Sequence, residues 1–104
     1  MKKLSNEQIL EVILRAGIAY EVEGLEIMVE CGELTQEDFN KKITQEDLMA
    51  MAENQLHDAR THRKTITAEN TERVLEIKHI NFLGNETIEK RKQNAVNWAI
   101  KKFS

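Results

Sequence analysis

The chain has 104 residues, 32% of them charged and 40% hydrophobic, and a formal net charge of −3. That balance describes a single folded domain over 1–104 and excludes a disordered chain. Its most apolar run, Ile9 to Tyr20, is interrupted by Glu11 and Arg15, so no segment is expected to span a membrane.

The polar run Ser5-Asn6-Glu7-Gln8 stands where a signal peptide would need an apolar stretch, so none is expected. It reads instead as the start of a helix, with the Ser5 hydroxyl placed to accept an orphan N–H. That first helix is predicted from about Asn6 to Cys31, with Gly32 as its stop. Leu10, Ile13, Gly17, Tyr20, Gly24, Ile27 and Cys31 recur along it as a seven-residue a/d seam. Gly17 and Gly24 each cost a helix about 1 kcal/mol against alanine, which asks for a close neighbour at both. Leu25, Ile27, Val29 and Cys31 also alternate as in a strand, so a break near Gly24 stays open. Val12, Ile18, Val22, Leu25, Met28 and Val29 lie off the seam, and a helix apolar over so much of its circumference should be covered on more than one side.

Thr35 and Thr44 each precede Gln-Glu-Asp and repeat the capping chemistry. They predict a short helix over about Gln36 to Lys42, with Phe39 and Ile43 inward, and a longer one over about Gln45 to Arg63. The longer one buries Leu48, Met49, Ala52, Leu56 and Ala59. Thr65 to Leu83 supports two readings. A helix follows from a cap at Thr67-Ala68-Glu69-Asn70 and a stop at Gly84, and a hairpin turning at Glu69-Asn70 from the strand character of Thr65-Ile66-Thr67 and Val74-Leu75-Glu76-Ile77. The last helix, about Glu86 to Phe103, buries Ile88, Ala95, Trp98, Ala99 and Phe103, and carries Lys90, Arg91, Lys92, Lys101 and Lys102 on its other face. The expected fold is all-α: a compact bundle of four to five helices around a long N-terminal helix, with a small hairpin at 65–80 as the open variant.

Charge divides along the chain. Residues 1–56 hold five basic and twelve acidic side chains, a net of −7, and 57–104 hold ten and six, a net of +4. The two halves can fold against each other or face different partners. Glu23, Glu26 and Glu30 belong to a dense acidic strip and are the candidate partner-binding residues. Lys90, Arg91, Lys92, Lys101 and Lys102, with Trp98 close by, are candidates for phosphate or nucleic-acid contact. Glu53, His57, Asp58 and His62 mix carboxylates with imidazoles, but the step from His57 to His62 turns the helix about 500°, onto different faces. No catalytic motif, metal-ligand spacing or cofactor-binding loop accompanies them. Cys31, the only cysteine, cannot form an internal disulfide, which suits a reducing, cytoplasmic setting. It is expected to be half-buried.

Two short stretches resemble known families. Ala19-Tyr20-Glu21-Val22-Glu23-Gly24-Leu25-Glu26 resembles the inhibitory-helix motif of antitoxins that silence Fic-type AMP transferases, although those carry Ser or Thr where this chain has Ala19. Asn94 to Ile100 is similar to the closing helix of phage hairpin proteins that sequester cyclic-nucleotide immune signals. Both resemblances imply small antagonist proteins, and neither assigns a role to a residue here. The sequence therefore favours a non-enzymatic helical interaction module, a small regulator or inhibitor of phage or mobile-element type, binding a protein partner or a second copy as a homodimer. The alternative is a nucleic-acid or nucleotide binder that uses the basic last helix.

Overall fold

The computed structural model describes residues 4–68 and 71–104. The chain forms helix α1 (Asn6–Glu30), short helix α2 (Gln36–Lys42), helix α3 (Gln45–Thr61), strands β1 (Lys64–Ala68) and β2 (Thr71–Leu75), short helix α4 (Ile77–Leu83) and helix α5 (Asn85–Phe103). The expected bundle around a long first helix is present, together with the small hairpin.

All three hydroxyl caps form. Ser5, Thr35 and Thr44 accept from the backbone N–H of Gln8, Asp38 and Asp47 at 3.2, 3.0 and 3.2 Å. Gln8 also reaches back to the Ser5 N–H, which closes a capping box. α1 runs unbroken through Gly24 and ends one residue before the expected Cys31. Gly32, at φ 81°, then lets the Gly32 and Glu33 N–H groups donate back to the Val29 and Met28 carbonyls.

The ambiguous stretch resolves as a hairpin followed by a short helix. β1 and β2 pair antiparallel, with Lys64 opposite Leu75 and Thr67 opposite Glu72. Thr67 therefore lies in a strand and starts no helix, since Thr65, Ile66, Thr67 and Val74 are β-branched and fit a pleated ribbon better. The expected turn at Glu69-Asn70 lies outside the described residues. Arg73 of β2 donates to the Leu4 carbonyl and to Asn6, tying the hairpin to the start of α1. α3 stops at Thr61, two residues early, because His62 already has the extended backbone that leads into β1.

The a/d seam needs correction. Buried positions on α1 are Ile9, Leu10, Ile13, Leu14, Ile18 and Val22, with Leu25 and Val29 packed against the core. From Leu10 the stripe advances in four-residue steps, each about 40° beyond a full turn, so its centre rotates by about a third of a turn along the helix. Leu10 and Ile13 stay on the seam and inside, whereas Tyr20, Gly24, Ile27 and Cys31 emerge into solvent. Cys31 is exposed, not half-buried.

The two mid-helix glycines differ accordingly. A Cβ on Gly17 would collide with the Gln55 side chain of α3, which reaches over to Glu21 at 3.4 Å; a Cβ on Gly24 would meet nothing within 4 Å. Gly24→Ala is expected to stabilise the chain by about 1 kcal/mol and raise Tm by about 4–8 °C. Gly17→Ala must swing Gln55 away, and should gain none of this. Equal gains in thermal melts of the two variants would contradict the packing at Gly17.

Candidate functional site

α1 and α5 run parallel and side by side. Arg91 donates to Glu7 at 2.7 Å and to Glu11 at 3.2 Å; Asn94 donates to Glu11 at 2.9 Å; Arg15 pairs with the other Glu11 oxygen at 2.8 Å and stacks over Trp98 at 5.5 Å. The acidic first half of the chain is thus folded onto the basic second half, and on α1 this pairing is confined to the helix's first part. Among the described residues, Glu23, Glu26, Glu30 and Glu33 have no ion-pair partner within 4.0 Å.

Glu23, Glu26 and Glu30, spaced i, i+3 and i+7, form one exposed strip. On one side of it Tyr20 and Ile27 stand 79% and 57% exposed, with Gly24 between them. On the other side lies a groove of about 350 Å³ between α1, α2 and the end of α5. Val29, Phe39 and Phe103 give it apolar walls, and Glu26, Glu30, Gln36 and Lys102 give it polar ones. Gly32 and the Thr35 cap place α2 here by reversing the chain and restarting it as a helix that buries Phe39.

The basic candidates do not form one face. Lys90 and Lys101 are exposed. Arg91 is half-buried against Glu7 and Glu11, and Lys92, expected on the outer face, is 3% exposed and points inward. Lys92 falls in step with Ile88, Ala95 and Ala99, so it shares the apolar stripe of α5 and enters the α3–α5 contact, where it pairs with Glu53 and, at 2.7 Å, with Glu89. Burial pulls the Lys92 pKa down, but the two carboxylates outweigh it and hold the ammonium above its ordinary 10.5. Lys102 sits at the groove with its ammonium turned to the rings of Trp98, at 5.2 Å, and Phe103, at 5.9 Å. Trp98 is half-buried and meets Phe103 edge-on at 6.2 Å.

The carboxylate–imidazole cluster is dispersed. Glu53 serves Lys92, and Asp58 accepts from Lys64, a hydrogen bond that holds its carboxyl below the ordinary 3.8. His57 is exposed, and His62 lies 3.9 Å from Asp58. Among the described residues no three His, Cys, Asp or Glu side chains are placed to hold a metal ion, and no described helix is long and apolar enough to cross a membrane. Sequence reasoning missed Gln36, Phe39 and Phe103 as groove residues, because only the fold brings positions 26–39 to 102–103. No protein family, curated protein or solved structure matches the chain.

Proposed function

We propose that this protein is a non-enzymatic helical interaction module, a small cytoplasmic regulator or inhibitor that binds a larger protein through the second half of α1. The observation that carries this reading is the contrast along one helix. Glu7 and Glu11 are neutralised by Arg91 and Arg15, whereas Glu23, Glu26 and Glu30 keep uncompensated charge beside exposed Tyr20 and Ile27. Unpaired charge next to exposed apolar surface suits a partner-facing patch, where charge guides encounter and apolar side chains hold the complex. The nucleic-acid reading draws less support, because Arg91 and Lys92 already face glutamates of α1, α3 and α5.

The test is affinity capture with the wild-type chain and with a Glu23→Lys/Glu26→Lys/Glu30→Lys variant. The three side chains are exposed and unpaired, so the variant should melt within about 0.5 kcal/mol of wild type. Partners held by the wild type should be lost or slowed in association. Survival of every interaction in the folded variant would sink the reading.

A further inference from the structure

We infer that the groove between α1, α2 and the end of α5 anchors this surface by taking the arginine side chain of a basic, amphipathic partner helix. The inference rests on the reading above and adds the chemistry of the partner. Glu26 and Glu30 are one helical turn apart on the same face, so one guanidinium can donate to both. Val29, Phe39 and Phe103 supply apolar and aromatic surface for the aliphatic stem and for the flat face of the guanidinium. The one cation at the groove does not neutralise those carboxylates: the Lys102 ammonium lies against Trp98 and Phe103, and among the described residues it forms no ion pair with Glu26 or Glu30. Arginine fits better than lysine because its planar fork matches two carboxylates and stacks on rings. A second copy placed on the same strip would set Glu23, Glu26 and Glu30 against themselves, which like-charge repulsion disfavours.

The experiment titrates isotopically labelled protein with a synthetic 14-residue helical peptide carrying leucines on one face and a single central arginine. A matched peptide has citrulline in its place. The expected result is amide shifts at Val29, Glu30, Gln36 and Phe103. Affinity should fall about tenfold both for the citrulline peptide and for a Glu26→Gln/Glu30→Gln variant with unchanged circular dichroism. Shifts confined to Tyr20, Gly24 and Ile27, and indifferent to citrulline, would overturn the groove as the anchor and leave the interaction reading standing. Light scattering of the protein alone at twice the chain mass, with the groove amides shifting on dilution, would assign the groove to a second copy and overturn the inference. No shift anywhere along α1 would also overturn it, while the charge-reversal capture decides the broader reading separately.

Discussion

Replacing Glu53 and Glu89 together with alanine is expected to lower the unfolding free energy by about 2–3 kcal/mol, the larger of the two effects at Lys92. The double change leaves the ammonium of Lys92, a side chain 3% exposed in the wild-type chain, with no counter-charge, and stranding a buried charge typically costs about 3–5 kcal/mol. The figure is reduced here because both carboxylates are themselves more than half exposed, so water can follow them in. Lys92→Met removes the charge and keeps the volume, and should change stability by less than about 1 kcal/mol. Urea titrations of the two variants separate these outcomes; a methionine variant as unstable as the double alanine would mean that the ion pair itself is needed. The pH dependence has a definite sign. The Lys92 pKa is raised in the folded chain, so its contribution is complete below the unfolded value near 10.5 and is lost as pH climbs through the higher folded value. The methionine variant should lack that alkaline loss.

Ile18→Ala is expected to cost about 3 kcal/mol, whereas Tyr20→Ala, two residues away, should fall within about 0.5 kcal/mol of wild type. Ile18 is fully buried, and its truncation opens a cavity among well-packed neighbours; Tyr20 is 79% exposed. A heptad seam predicts the opposite order, since Tyr20 occupies a seam position and Ile18 does not. Chemical denaturation of this pair is therefore a direct test of which face of α1 is inside. Comparable losses for both would mean that Tyr20 is covered, as it would be in a self-associated form.

The contrast locates what could be read from residues alone. Element existence was legible where chemistry is local: the hydroxyl caps at Ser5, Thr35 and Thr44 fixed three helix starts, and Gly32 and Gly84 marked two stops. The outward strip of Glu23, Glu26 and Glu30 was legible as well, because spacing on one helix defines it. Facing was harder. On α1 nearly every turn offers apolar residues on several sides, so the repeat alone did not say which stripe the rest of the chain would cover. Lys92 shows the reverse case: it sits in the apolar stripe of Ile88, Ala95 and Ala99, and only its charge suggested the outside. Its Glu89 carboxylate sits one turn back on the same helix, but the Glu53 carboxylate comes from another helix, and that pairing became visible only once α3 and α5 were packed together.

The link from Glu11 to Arg91 and Asn94 joins positions 80 and 83 residues apart. Closing a loop of that length is entropically slow to reward, so the α1–α5 pairing should form late on the folding path. During synthesis, α1 leaves the ribosome long before helix α5, whose Arg91 will pair with Glu7 and Glu11, exists. Until then its apolar and acidic sides are equally open to other proteins, and the nascent chain exposes a much larger adhesive surface than the finished one.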